Sequence, residues 1–247
     1  MSLVALVRSQ ERPGVERQLD ALVDHPDVHG ALVLVPADED GPATARRVRD
    51  RYGGRGVRVH TVDPWGWSKA LNAGFREIDA TWGREAVVWC LSVDVRWDAT
   101  VPAALEQAAR RQGCGFGFFE GRTELPYLVP RNTCAAWTHD AWVRFGGFDE
   151  ALDEGQGMED YDAVLRLARD EGRLPEALKC FVRAPGRGGP AFERTVQRET
   201  ARVLALEDRY PSPVVDRVTA HLRDHLALLH PEADESPLKA VATAGTR

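Results

Sequence analysis

The chain has 247 residues, 43% of them hydrophobic and 28% charged, with a formal net charge of -6. That length can bury a substantial core in one large domain or two small ones, and the acidic balance speaks against a nucleic-acid partner, which needs a basic face. No apolar run approaches the roughly 20 residues that span a bilayer.

The opening run before Arg8 holds about five consecutive apolar residues, short of the roughly 7–15 of a signal-peptide core. It reads as a first strand, and a cytoplasmic location is expected. Cys90, Cys114, Cys134 and Cys180 are widely spaced and sit in or beside apolar stretches. They are expected to be buried free thiols rather than disulfides or metal ligands.

Taken in order, Leu3–Val7 is a short apolar run that ends at polar Arg8, a buried strand opening at a rim. Gly14 to Val23 has helical spacing, with Val15, Leu19, Leu22 and Val23 on one face. Ala31–Val35 is a second strand, ending near Asp38, and Pro42 to Tyr52 is a polar, basic surface helix. Val57–Val62 is a third strand, ending at Asp63. Trp67 to Ile78 is a helix with Ala70, Leu71, Gly74, Phe75 and Ile78 turned inward, and Ala86–Leu91 is a fourth strand ending at Asp94.

Thr100–Arg111 reads as a helix, Gly115–Phe119 and Cys134–Trp137 as strands, and His139–Phe145 as a short helix. A glycine-punctuated loop with Gly155 and Gly157 leads into a helix from Asp160 to Asp170. Ala177–Val182 is a last strand before the Gly/Pro/Arg segment that holds Arg183 and Arg187.

Four apolar strands alternating with helices over about the first hundred residues predict an α/β fold, a mainly parallel sheet with helices on both faces. Ligands of such sheets bind beyond the carboxyl ends of the strands. Arg8, Asp38, Asp63 and Asp94 are the charged residues expected on that rim. The expected organisation is one domain over residues 1–190, in two halves at 1–98 and 99–190. Two amphipathic C-terminal helices follow over 191–230, then a disordered polar tail over 231–247. The two helices suit either a cover over an acceptor site or a homodimer contact.

Glu159, Asp160 and Asp162 gather where a loop meets a helix. Carboxylates there suit general-base chemistry on a bound hydroxyl, and they equally suit the positive end of a helix dipole. Three segments bear on that choice. Gly66 to Gly74 (GWSKALNAG) is similar to the segment before the metal motif of family 2 glycosyltransferases. Leu91–Val95 (LSVDV) resembles their Asp-x-Asp strand end. Gly146-Gly147-Phe148-Asp149-Glu150 followed by Gly157-Met158-Glu159-Asp160-Tyr161-Asp162 resembles their acceptor-side loop and Glu-Asp motif, including the galactosyltransferase-type and chondroitin-polymerase-type members.

The resemblance spans roughly residues 2–185. It implies a GT-A fold and inverting transfer of a sugar from a nucleotide diphosphate sugar, UDP-linked, to a hydroxyl acceptor. It makes 1–98 the nucleotide-binding half and 99–190 the acceptor-binding half of a catalytic domain. It makes Asp160 the general base and Glu159 the residue that orients the acceptor or the base. Arg8, Asp38, Asp63, Lys69, Asn72, Asp94, Arg183 and Arg187 become donor contacts, and Trp137, Gly157 and Asp162 acceptor-side residues.

Asp94 is the implied ligand of Mg²⁺ or Mn²⁺, hard cations that prefer oxygen donors. This chain departs from the family pattern in having Ser92 as the first residue of Asp-x-Asp and no histidine near the last strand, where Arg183 and Arg187 stand instead. Either a cation at Asp94 or a bidentate arginine clamp would then carry the diphosphate. Trp65 and Trp67 suit stacking on a sugar or base, or packing at the rim; His139 reads as a helix-start residue. The competing readings are a catalytically lapsed GT-A domain that binds nucleotide or protein, and a nucleotidyltransferase. The latter would want a glycine-rich basic loop where Ser9-Gln10-Glu11-Arg12-Pro13-Gly14 stands.

Overall fold

Strands made of uninterrupted Val, Leu and Ala have no solvent face and must be covered on both sides. In the computed structural model, which describes residues 2–9, 14–38, 40–93, 95–119, 134–155, 159–173 and 178–183 with 209, 210, 212, 213, 216 and 220, that is what happens. The described strands are β1 Leu3–Arg8, β2 Val28–Pro36, β3 Val57–Val62, β4 Val87–Ser92, β5 Arg96–Trp97, β6 Cys114–Phe119, β7 Cys134–Thr138 and β8 Leu178–Arg183. The helices are α1 Val15–Leu22, α2 Gly41–Tyr52, α3 Trp67–Trp82, α4 Val101–Gln112, α5 His139–Arg144 and α6 Glu159–Glu171, with a 3-10 helix over Glu150–Gly155.

The strands join in the order β3-β2-β1-β4-β7-β6-β8-β5. β1, β2, β3 and β4 are mutually parallel, β7 is antiparallel to both β4 and β6, β8 is parallel to β6, and β5 is antiparallel to β8. The expected mainly parallel sheet is therefore present, and β7 joins the first-half strand β4 to the second-half strand β6. The two-residue strand β5 was not foreseen, because it is too short to show a period. α3 runs a turn beyond the expected Ile78, as far as Trp82. The predicted C-terminal helices and the tail fall almost wholly outside the described residues.

Because strand side chains alternate, β1 divides its residues between two cores. Leu3, Ala5 and Val7 join Val15, Leu19 and Leu22 of α1, Ala45, Val48 and Tyr52 of α2, and Leu105 of α4. Val4 and Leu6 join Leu71, Phe75 and Ile78 of α3 and Val164, Leu165 and Leu167 of α6. β4 divides in the same way, Trp89 and Leu91 going with the first group, Val88 and Cys90 with the second. By the same parity Arg8 and Ser92 belong to the α3/α6 face. They are also direct neighbours in the β1/β4 register.

No described helix is long and apolar enough to cross a membrane. Cys90, Cys114 and Cys134 are buried free thiols, as expected.

α4 lies tightly against β6. A Cβ at Gly115 would stand 2.3 Å from the carbonyl oxygen of Leu105, a backbone atom that has no rotamer with which to move away. Gly115→Ala should therefore destabilise the fold by about 1–3 kcal/mol, the usual range for an overpacked site, measured by urea denaturation.

Candidate active site

A parallel sheet binds ligands where the strand order reverses. Here the chain lays β2 and β3 on one side of β1 and then β4 on the other, so the reversal falls between β1 and β4. The two residues that end those strands are Arg8 and Ser92. Arg8 is only 5% exposed. Its guanidinium carbon lies 4.4 Å above the Trp67 ring, and its Nη1 is 3.7 Å from Oε1 of Glu159. Arginine is seldom buried without a reason, and this one is held between an aromatic face and a carboxylate.

Glu159 and Asp160 open α6 and are 5% and 6% exposed. Cys90 lies beneath them: burial pushes its thiol up to about 12, with Arg8 pulling the other way and Glu159, Cys134 and Asp160 adding to the rise. Arg8, Ser92, Glu159 and Asp160 thus come together from three distant parts of the chain. Oδ1 of Asp160 accepts the N–H of Tyr161 at 2.9 Å, a local bond of the kind that satisfies an open helix start.

Several expected site residues turn out to be engaged elsewhere. Asn72, expected to contact the nucleotide, donates from Nδ2 to the Phe148 carbonyl at 2.8 Å and to Oε1 of Glu150 at 3.0 Å. Its Oδ1 accepts from the N–H of Phe148 at 2.9 Å and from the Trp142 indole at 3.1 Å. The amide is fully used in pinning the Gly146–Glu150 loop onto α3. Gly147 lets that loop approach: its φ is +78°, and a Cβ there would sit 3.0 Å from Oδ1 of Asn72.

Trp137, expected on the acceptor side, is fully buried and packs edge-on against Phe145 and Phe148. Because β7 runs antiparallel to β4, Trp137 sits opposite Val88, four residues or about 13 Å along the strand from Ser92. His139 follows at the far rim, 3.9 Å from Asp79. Asp162, also expected to meet the acceptor, is completely buried, ion-paired with Arg166 and Arg209 and bonded by the Tyr210 hydroxyl. An aspartate closed off from solvent on every side offers no oxygen to an acceptor.

Asp38 and Asp63 are exposed just past the ends of β2 and β3, on the same rim as Arg8. Lys69 is half-buried in the first turn of α3. Arg183 ends β8 beside Arg96 of β5. Asp94, Gly157 and Arg187 lie outside the described residues. Trp67 serves as the platform for Arg8, while Trp65 packs against the core.

Two further groups shape the site. Asp153, from the 3-10 helix, accepts the N–H groups of Ser68 at 2.6 Å and Lys69 at 3.2 Å. It thereby caps α3, whose own cap residue is Gly66. Gln18 of α1 donates to the carbonyls of Ser92, at 3.0 Å, and Val95, while Trp97 donates to its Oε1 at 3.1 Å. Arg17 adds a bond to the Val93 carbonyl at 2.9 Å. α1 therefore holds both flanks of position 94. The sequence does carry a signal for this: a glutamine on the apolar stripe of Val15, Leu19 and Leu22 is a buried polar group that needs partners.

The residues described around Ser92 are a poor fit for a divalent cation. They offer one neutral hydroxyl, the Glu159 carboxylate already paired with Arg8 and the Asp160 carboxylate bonded to the Tyr161 N–H, and no group of three His, Cys, Asp or Glu side chains converges among the described residues. A hard cation needs more oxygen than that. The described positive charges near this point are the Arg8 guanidinium and that of Arg17, on the Val93 carbonyl.

No family model matches the chain, and no curated protein does. Solved structures do. The chain resembles the structure of GalNAc-T7 with UDP, GalNAc and Mn²⁺ at 13% identity and a TM-score of 0.62, covering 99% of this chain and 54% of that one. It also resembles S. aureus TarS residues 1–349 in complex with UDP-GlcNAc, at 12% identity and a TM-score of 0.60, covering 100% of this chain and 78% of that one.

The fold is that of the GT-A glycosyltransferases. At these identities the likeness concerns the fold alone, and the chain spans about half the length of the GalNAc-T7 structure. The GT-A sheet puts the Arg8–Ser92 rim at the position where ligands of parallel sheets bind.

Asn72→Ala strips partners from the Phe148 N–H, the Phe148 carbonyl and the Trp142 indole at once. It should lower stability by about 2–4 kcal/mol in urea or thermal unfolding, since each buried polar group left unpaired costs about 1–3 kcal/mol.

Proposed function

We propose that the chain is an inverting glycosyltransferase of the family 2 type, moving a hexose from a nucleotide diphosphate sugar, UDP-linked, to an acceptor hydroxyl. The observation that carries this reading is the pairing of Arg8 with Glu159 at the β1/β4 switch point. It joins a buried cation at the strand ends to the two-carboxylate start of α6. The relatives in fold support the donor class, since GalNAc-T7 and TarS were each solved with UDP or a UDP-sugar.

Inverting transfer is a direct displacement. One group must neutralise the diphosphate as it leaves, and another must take the acceptor proton from the opposite face of the sugar. Arg8 suits the first role: a guanidinium in a dry, pre-set position stabilises developing phosphate charge without having to reorganise. Trp67 below it and Glu159 beside it keep it in place. Asp160 suits the second role as general base, with Glu159 orienting it. Asp38 and Asp63, at the ends of β2 and β3, would accept from the nucleoside, and Lys69, Arg183 and Arg187 would contact the diphosphate. A cation, where one is bound, would be held by Asp94 and would add Lewis-acid charge on the diphosphate.

Asp160→Asn keeps the shape of the residue and removes its basicity. Its turnover should fall at least about 100-fold, within the range for loss of general-base catalysis, while UDP affinity by calorimetry stays within about threefold. Wild-type turnover in this variant would remove Asp160 from the role of base. A thermal-shift screen of UDP, GDP, dTDP and CMP sugars should give its largest rise with a UDP sugar, because a ligand of the native state stabilises it by mass action. No rise with any of them would exclude a nucleotide-sugar donor.

With Arg8 supplying positive charge at the switch point, UDP affinity should change less than about threefold between Mn²⁺ and chelator. A loss larger than tenfold, about 1.4 kcal/mol, would assign the diphosphate to a cation at Asp94.

A further inference from the structure

Asp162 stands three residues after Glu159 and two after Asp160 on the same helix, yet it has no exposed surface at all. A buried carboxylate is tolerated only when its oxygens are matched by donors or cations. One partner is local: Arg166, one turn further along α6, pairs with it and donates to the Phe145 carbonyl. The other two come from far along the chain. The Tyr210 hydroxyl donates to Oδ1 of Asp162, and Nη1 of Arg209 lies 3.8 Å from the same oxygen.

The same two residues reach other parts of the site. Nη2 of Arg209 donates to Oδ2 of Asp149 at 3.1 Å, in the loop that Asn72 pins to α3. The Tyr210 ring lies under the guanidinium of Arg169, 5.6 Å from ring centre to Cζ, in the last turn of α6. Residues 209 and 210 therefore tie the glycine loop to the first and last turns of α6. The phenol is suited to a permanent donor: burial, then its bond to Asp162, pushes it up to about 12, so it keeps its proton throughout the neutral range.

The first turn of a helix has no intrahelical acceptors for its N–H groups, and helix ends open at little free-energy cost unless something outside ties them down. Asp160 belongs to that turn. At a rise of about 1.5 Å per residue, Asp160 sits only about 3 Å along the axis from Asp162, so whatever holds Asp162 holds Asp160.

We infer that Tyr210, with Arg209 beside it, is a positioning residue that fixes the first turn of α6 and so the placement of Asp160 and Glu159. The role rests on the reading of Asp160 as general base. It gives residues 209 and 210, which no motif singles out, a part in the reaction without contact to donor or acceptor.

The test is Tyr210→Phe in the full chain, a change that keeps the ring under Arg169 and deletes only the hydroxyl. Hydrogen exchange of the amides of residues 163–166, which donate to the carbonyls of the first turn, should accelerate about tenfold or more, as expected when a bond to a buried carboxylate is lost. Turnover should fall about 10- to 100-fold, the cost of a displaced catalytic group, with the donor KM within about twofold of wild type. Arg209→Gln should show the same split more weakly.

Unchanged exchange in α6 would overturn the inference, whatever the kinetics. So would faster exchange with wild-type turnover, or a loss in kcat matched by an equal change in KM. If the wild-type chain itself turns over none of the donor sugars, the proposed function fails, and the exchange measurement still decides whether Tyr210 fixes the turn.

Discussion

Two apolar parallel strands side by side at the centre of a sheet, covered on both faces, leave the chain one place for a charge: their carboxyl ends. β1 and β4 are such strands, every residue from Leu3 to Val7 and from Val87 to Leu91 being at most 1% exposed. Strand alternation then decides which face each terminal residue serves. Arg8 follows Val4 and Leu6 to the α3/α6 face, and Ser92 follows Val88 and Cys90 there. The two helices that pack on that face are the ones that bring Trp67 and Glu159. Parity and the strand reversal at β1 thus place Arg8 and Ser92 side by side on one rim.

The Arg8–Glu159 pair shows why such a site is not simply a stabilising feature. Both side chains are more than nine-tenths buried at 3.7 Å separation, longer than a charge-assisted hydrogen bond of about 2.7–2.9 Å. Two charges taken out of water carry a desolvation cost that their mutual attraction offsets only in part at that distance. A fold that keeps them keeps a cation at the strand ends, and the cation acts more strongly there than in water because the surrounding dielectric is low. Ser92, neutral and next to Arg8 in the strand register, avoids placing a further carboxylate against that pair.

Much of the scaffold was legible from the chain because buried parallel strands announce themselves as unbroken apolar runs, and every described strand of more than two residues appeared close to its expected position. Strand polarity was less legible. Nothing in Cys134–Thr138 says that it runs against β4, and this reversal is what sends Trp137 and His139 away from the rim.

The motif residues were legible as types but not as roles. Asn72 and Asp162 stand where the sequence resemblance expects motif residues, yet both face inward, because the backbone groups and arginines around them need partners. Gln18, Asp153 and Tyr210 were missed for the opposite reason. Their partners lie about 50 to 85 residues away in sequence, so a local pattern that flags the residue, as the apolar stripe does for Gln18, still does not name the partner.

These polar residues fall into two groups by what they touch. Arg8, Glu159 and Asp160 share the rim at the carboxyl ends of the strands, the side on which ligands of parallel sheets bind. Asn72, Asp153, Asp162 and Gln18 bond the protein's own backbone amides and carbonyls, or its own arginines and tyrosine, around the three segments that border that rim: the 92–95 turn, the start of α3, and the 146–150 loop with the start of α6. A pre-set site needs both, since a catalytic group is useful only as far as its supporting contacts hold it within a fraction of an ångström. The inward-facing residues of the motifs are therefore the reason those segments have a defined shape, and the rim residues inherit their geometry from them.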